Sequence, residues 1–102
     1  MTDYALGPHA NAALDDIFLY TREHWGEARA ERYIDGLFGK FEDIANNRII
    51  SQKVPEELVP DSWRCRHERH VIYWKHLADG RVGIFAILHE RMHQAERLAK
   101  SL

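Results

Sequence analysis

The last part of the chain contains a pattern that could bind zinc. His89, Glu90 and His93 match the H-E-x-x-H signature of zinc proteases, in which two histidines one helical turn apart bind the metal and the glutamate acts as a base. The apolar residues before His89 predict a strand that ends there, so the two imidazoles need not share a face. Only nine residues follow His93, with no obvious third ligand. We therefore predict no metal site and no cofactor.

The second half of the chain is rich in aromatic and arginine residues, the types that dominate protein-binding hot spots. A target-binding surface on its strands would contain Trp63, Arg64, Arg66, Tyr73 and Trp74. Because side chains alternate along a strand, Tyr73 and Trp74 lie on opposite faces, and one of the two could belong to the core instead.

Cys65 is the only cysteine, so an intramolecular disulfide is impossible, which fits a reducing compartment. A lone thiol could be a nucleophile, but it is more often a small buried apolar residue. No apolar run approaches the ~20 residues that span a bilayer, and the first residues do not resemble a signal peptide. We expect a cytoplasmic protein with no membrane partner.

The length of 102 residues predicts a single domain, 1–102, and 45% hydrophobic with 29% charged residues is an ordinary globular composition. The formal net charge of −2 gives no global attraction to nucleic acid. The charge is uneven, however: residues 1–62 carry −6 and residues 63–102 carry +4. The second part is the place to expect an anionic partner, unless the two parts simply attract each other.

The first half of the sequence predicts one strand and two helices. Thr2–Leu6 alternates weakly and is ended by Gly7-Pro8. Apolar residues at helical spacing predict a helix over His9–Trp25, with the proline in its first turn. A stronger apolar stripe predicts a second helix over Glu27–Asn47. Gly26 separates the two helices, and so short a link predicts an antiparallel helical hairpin.

The second half predicts a loop, three strands and a tail helix. Arg48–Asp61 holds two prolines and is interpreted as a long loop. Asp79-Gly80 is a typical hairpin turn between two of the strands. The strands and the tail helix are expected at Trp63–His67, Val71–His76, Arg81–His89 and Arg91–Leu102. An antiparallel sheet needs a cover for its apolar face, and the helical hairpin supplies one, so the fold class is a two-layer α+β domain.

Several segments, in order and spacing, resemble the ParE/RelE superfamily of toxins, and ParE-type toxins in particular. The resemblance covers almost the whole chain, from Tyr4 to about Leu98. The helical segments that carry it are Pro8-His9-Ala10, Leu14-Asp15-Asp16-Ile17, Tyr20-Thr21, Trp25-Gly26 and Ala30-Glu31-Arg32-Tyr33. The strand segments are Arg69-His70-Val71-Ile72-Tyr73-Trp74 and Ile87-Leu88-His89-Glu90-Arg91-Met92.

The resemblance implies the toxin of a type II toxin–antitoxin pair with the fold described above. The ParE branch inhibits DNA gyrase, whereas the RelE branch cleaves mRNA in the ribosome. A cognate ParD-like antitoxin would wrap the toxin with its C-terminal segment, and DNA would be contacted only indirectly, through the antitoxin. We expect a protein-binding inhibitor of DNA gyrase rather than an enzyme.

The alternative is a metal-independent, ribosome-dependent mRNA endonuclease. RelE-type enzymes use basic residues on the sheet and a tyrosine in the tail helix. Here the tail tyrosine is missing and Arg97 is nearest its place; a guanidinium stays protonated and cannot replace a phenol in acid–base work. Some relatives use histidine instead, so the residues for this alternative are His70, His89 and Arg91.

The resemblance also suggests where partners bind. Arg91 and Met92, at the junction of the last strand and the tail, join the five strand residues as the expected target-binding surface. The helical hairpin supplies an apolar groove for the antitoxin, and its acidic character suits a basic segment. The residues expected to line that groove are Leu14, Phe18, Phe38 and Phe41.

Overall fold

The structure, a computed structural model, describes residues 4–101, so Thr2 and Leu102, the ends of two predicted elements, lie outside the described residues. The helices are α1 (Pro8–Trp25), α2 (Glu27–Ala45) and α3 (Gln94–Ser101). The strands are β1 (Tyr4–Leu6), β2 (Gln52–Lys53), β3 (Ser62–His67), β4 (His70–His76) and β5 (Val82–His89). They form one sheet in the order β1-β5-β4-β3-β2. Within residues 4–101, no helix is long and apolar enough to cross a membrane.

The helical hairpin forms as predicted, with a single residue between its helices. Gly26 has φ +93°, a region that favours glycine, and its N–H donates to the carbonyl of Arg22 at 2.9 Å. α2 ends at Ala45, two residues earlier than predicted, because Asn47 has φ +56° and leaves the helical conformation.

The three predicted strands pair as an antiparallel meander, and two further pairings complete the sheet. β1 runs parallel to β5, with Tyr4 opposite Val82, which makes the sheet mixed. The prediction of a loop throughout Arg48–Asp61 is wrong at Gln52 and Lys53, which pair with Arg64 and Trp63. Two polar residues carry no local strand pattern, so their conformation comes from the neighbouring strand.

The tail helix begins at Gln94, and the prediction that it begins at Arg91 is wrong. The backbone N–H of Met92 donates to the carbonyl of His89 at 3.0 Å, and that of Arg91 donates to Nδ1 of His89 at 3.1 Å. Nε2 of Gln94 donates to the same carbonyl at 2.9 Å. These bonds to His89 hold a turn between β5 and α3.

Both faces of the sheet are covered. On one face, α1 and α2 bury a core of Ala10, Leu14, Ile17, Leu37, Phe41, Ile44, Ile72, Val82, Ile84 and Ile87. On the other, α3 and the segment 54–59 cover a smaller core of Val54, Val59, Val71, Tyr73, Phe85, Ala86, Leu88 and Leu98. β5 contributes to both, which explains its uninterrupted apolar run and its burial from Val82 to Leu88.

Candidate protein-binding surfaces

The first surface, which we call the helical groove, lies between α1 and α2 and has a volume of about 400 Å³. Its lining residues are Asn11, Leu14, Asp15, Phe18, Ile34 and Phe38. Phe38 is 36% exposed, whereas Phe41, one turn further along α2, is fully buried against Tyr4 and Phe38. Three of the four residues predicted for the antitoxin therefore line the groove, and Phe41 lies beneath it in the core.

The second surface, the β3 cleft, has a volume of about 490 Å³ and follows the outer edge of β3. Its lining residues are Lys40, Ile49, Ile50, Gln52, Arg64, Cys65, Arg66, Val71, Tyr73, Glu90 and Gln94. Nη1 of Arg66 donates to Oε1 of Glu90 at 2.6 Å, and this bond holds the pKa of the Glu90 carboxyl below its usual value. Three cations and one carboxylate thus line the cleft.

Strand register decides which side chains reach the β3 cleft from the sheet. Arg64 is opposite Tyr73 and Arg66 is opposite Val71, so these four share the face that carries α3. Tyr73 is fully buried there, and its hydroxyl donates to Oε1 of Gln94 at 2.6 Å. Burial raises the pKa of Tyr73. Tyr73 therefore anchors α3 and forms the floor of the cleft.

Trp63 and Trp74 are also opposite each other, but on the face that carries α1 and α2. Their rings stack with centroids 5.0 Å apart, and Nε1 of Trp74 donates to Oγ of Ser51 at 3.0 Å. Nζ of Lys53 lies 5.2 Å from the Trp63 ring centroid, within cation–π range. The five strand residues predicted for target binding are thus divided between two faces of the sheet.

A histidine cluster joins α2 to the end of the sheet, on the side away from Arg64 and Arg66. The Tyr33 hydroxyl lies 2.6 Å from Nδ1 of His70, and the rings of His70 and His89 meet edge to face at 5.2 Å. Burial, reinforced by His89 and His67, lowers the pKa of His70 to about 4. His70 is therefore neutral at pH 7 and has no imidazolium proton to donate.

Sequence patterns did not identify Tyr33 or His67 as members of this cluster. His67 packs edge to face on Tyr33, and its buried Nε2 has no hydrogen-bond partner among residues 4–101, with Oε2 of Glu68 at 3.6 Å. A Cβ on Gly36 would approach the His67 ring to 2.8 Å. A glycine inside a strongly amphipathic helix was the available signal for this close approach.

The residues named for the endonuclease alternative come together only in part. His70 and His89 are neighbours on the α2 side, and Arg91 lies in the exposed turn beyond them. The basic residues Arg64 and Arg66 lie on the opposite face of the sheet. His70 and His89 therefore do not share a face of the sheet with Arg64 and Arg66.

The H-E-x-x-H pattern does not form a zinc-protease helix. His89 ends β5, while His93 lies in the turn before α3. Within the described part of the chain, no group of three or more His, Cys, Asp or Glu side chains is placed to hold a metal ion. The lone Cys65 is half-buried, and burial raises the pKa of its thiol, which disfavours the reactive thiolate.

Residues 4–94 match the family described as the ParE toxin of the type II toxin–antitoxin system parDE. The chain belongs to the ParE toxin family. Toxin ParE of Escherichia coli is 36% identical over 102 residues, covering 100% of this chain and 98% of that protein. Toxin ParE1 of Caulobacter vibrioides is 32% identical over 99 residues, covering 96% and 99%.

A solved structure shares the fold of this ParE-family chain. The chromosomal ParDE toxin–antitoxin system from P. aeruginosa superposes with a TM-score of 0.72 at 15% sequence identity, covering 87% of this chain and 96% of the other. Family membership implies a cognate antitoxin as a partner. The two surfaces described above are the candidates for the contacts of a ParE toxin with its partners.

Proposed function

We propose that this chain stops growth by binding DNA gyrase, without catalysing a reaction, and is neutralised by a ParD-like antitoxin. The non-enzymatic part is supported by the register of the sheet, which puts His70 and His89 on the face opposite Arg64 and Arg66. Gyrase as the target is supported by the likeness to ParE toxins rather than to the RelE branch.

The proposed antitoxin site is the helical groove. Leu14, Phe18 and Phe38 offer apolar contact, and backbone groups inside α1 and α2 are already paired, so the occupant must contribute side chains, as an amphipathic helix does. The two helices hold eight acidic and four basic residues. This charge suits a segment of the antitoxin with a basic polar face.

The proposed target-binding surface is formed by β3 and by the turn that follows β5. Arg64 and Arg66 on β3 and Arg91 and Met92 in the turn after β5 supply arginine and methionine side chains, and Met92 is 39% exposed. These types are enriched in interface cores. Trp63 and Trp74 add an aromatic stack on the opposite face, a second contact area for a large partner.

The same proposal includes a single folded unit over residues 1–102 that works in the cytoplasm. The gyrase target requires that location, and a chain with a single cysteine suits it.

Inducing the chain alone in cells, with plasmid supercoiling and transcript integrity measured in parallel, tests the mode of action. We expect relaxed plasmid, filamentous cells and intact transcripts. Purified chain should block supercoiling by purified gyrase. Normal supercoiling at saturating chain would reject the gyrase proposal, and transcripts cut on translating ribosomes would select the endonuclease alternative.

A matched pair of variants tests the antitoxin site. Phe38→Asp places a charge in the helical groove and should weaken antitoxin binding by roughly 2 kcal/mol or more, the usual effect at a hot spot. Leu19→Asp is the control, because Leu19 is 45% exposed on α1 and does not line the groove. Titration calorimetry with the antitoxin measures both, and equal losses for the two variants would contradict the assignment.

A further inference from the structure

The outer edge of the sheet is only half occupied. β2 pairs with β3 at Lys53–Trp63 and Gln52–Arg64, and the pairing ends there, although β3 continues to His67. The backbone pairing with β3 does not extend before Gln52: Ser51 contacts β4 through its side chain, which accepts from Trp74, and Ile50 has 97% of its surface exposed. The last half of β3 therefore has an edge that no strand of residues 4–101 covers.

The hydrogen-bonding pattern of β3 shows which residues direct their backbone N–H and C=O groups towards this edge. The N–H of Val54 donates to the carbonyl of Ser62 at 3.0 Å, so Ser62 directs its backbone groups towards β2. In an antiparallel ladder every second residue does the same, which gives Arg64 and then Arg66. Arg64 has Gln52 as its partner. Arg66 turns its N–H and C=O outwards, two residues beyond Arg64, where the pairing stops.

The β3 cleft lies along this uncovered edge, and its charge selects an occupant. The lining cations are Lys40, Arg64 and Arg66, whereas the single lining carboxylate, Glu90, is already bonded to Arg66 and lies 3.9 Å from Nη1 of Arg69. Ile49 and Ile50 add apolar surface. An extended peptide with alternating acidic and apolar side chains would match both the hydrogen-bonding edge and its surroundings.

We infer that the β3 edge at Arg66 accepts an extended, acidic segment of a partner protein as an added strand in the β3 cleft. A second copy of this chain is a poorer occupant, because two edges placed side by side would bring the same arginines together. The site is separate from the helical groove, and the inference does not depend on gyrase being the target.

A capped hexapeptide of alternating glutamate and valine is a suitable probe for this edge. It should bind the purified chain, slow amide exchange at Arg66, and shift amide resonances at 64–67 rather than along α1. The matched peptide with lysine for glutamate should bind at least tenfold more weakly. Two further peptides are N-methylated at the odd or at the even residues. Only one of them should lose binding, because only one set of N–H groups faces the β3 edge.

Two variants separate backbone pairing from side-chain charge. Arg66→Ala removes the guanidinium, and Arg66→Pro also removes the outward N–H, which proline tolerates at an uncovered edge. The proline variant should bind the probe about fivefold more weakly than the alanine variant, the effect of one hydrogen bond. If it does not fold, the N-methylated peptides on the unmodified chain decide the same point.

Three results would overturn the inference: no binding of the acidic peptide, equal binding of the basic peptide, or resonance shifts confined to the helical groove. Concentration-dependent dimers that lose Arg66 amide exchange without any peptide would also overturn it, because the edge would then pair with itself. Failure of gyrase inhibition leaves all of these measurements unaffected, so the two proposals fail independently.

Discussion

The helical groove and the β3 cleft present different chemistry, although α2 contributes to both, with Phe38 in the groove and Lys40 in the cleft. Asp15 is the only charged side chain among the lining residues of the groove, and the backbone around it is fully paired inside helices. The cleft is lined by Lys40, Arg64 and Arg66 and borders an uncovered strand edge. The groove therefore selects partners by apolar side chains, and the cleft by charge and backbone hydrogen bonds. One chain can thus contact two partner segments of different conformation without competition at a single site.

Phe38 lines the helical groove, whereas Phe41 belongs to the core beneath it. Phe41→Ala removes a fully buried ring and should lower the free energy of unfolding by about 3–5 kcal/mol, whereas Phe38→Ala should cost less than half of that, because its ring is partly in water. Chemical denaturation of both variants measures the difference. Equal losses would mean that Phe38 is a core residue and that the groove is not a free surface.

The histidine cluster, which joins α2 to the sheet, should make the stability of the folded chain depend on pH. His70 has its pKa lowered from 6.5 to about 4 in the folded chain, so the unfolded chain binds the extra proton first as the pH falls. Stability should therefore decrease between about pH 6.5 and pH 4, by about 1–2 kcal/mol once the solvent near the ring is allowed for.

The matched variant for this effect is His70→Gln, which keeps a hydrogen-bonding group near Tyr33 but does not titrate. Denaturation at pH 7 and pH 4.5 should show a smaller loss of stability on acidification for the variant than for the parent chain. The same loss in both would assign the pH effect to other groups, such as His67, whose pKa burial also lowers.

Two glycines on α2 test how closely the hairpin approaches the sheet. An added Cβ meets nothing within 4 Å at Gly39, so Gly39→Ala should stabilise the chain by up to about 1 kcal/mol through helix propensity. At Gly36 the same Cβ comes within 2.8 Å of the His67 ring, which must shift. Gly36→Ala should therefore be less favourable than Gly39→Ala by about 1–2 kcal/mol. Equal melting temperatures for the two variants would show that the His67 ring moves freely.

The sequence predicted the elements with strong local patterns. The apolar stripes of α1 and α2, the break at Gly26 and the apolar run of β5 each depend on spacing along the chain. β2 has no such pattern and exists because β3 lies beside it. The start of α3 was misplaced because the bonds that Arg91, Met92 and Gln94 make to His89 are contacts of the folded turn.

The sites were harder to predict than the fold. Residue spacing shows which side chains share a face of a helix or strand, but it does not show what packs against that face. Phe38 and Phe41 lie on one apolar stripe of α2, and the packing of α2 against the rest of the core decides which is buried. Likewise, alternation separates Tyr73 from Trp74, but the covering of both sheet faces, which places Tyr73 under α3, depends on tertiary packing.

Inhibition of gyrase supercoiling by paired variants tests most directly whether the helical groove and the β3 cleft serve different partners. Phe38→Asp should inhibit gyrase as strongly as the parent chain but resist rescue by the antitoxin. The double variant Arg64→Glu, Arg66→Glu should lose inhibition while it still binds the antitoxin. Loss of both activities in each folded variant would contradict the division of labour between the groove and the cleft.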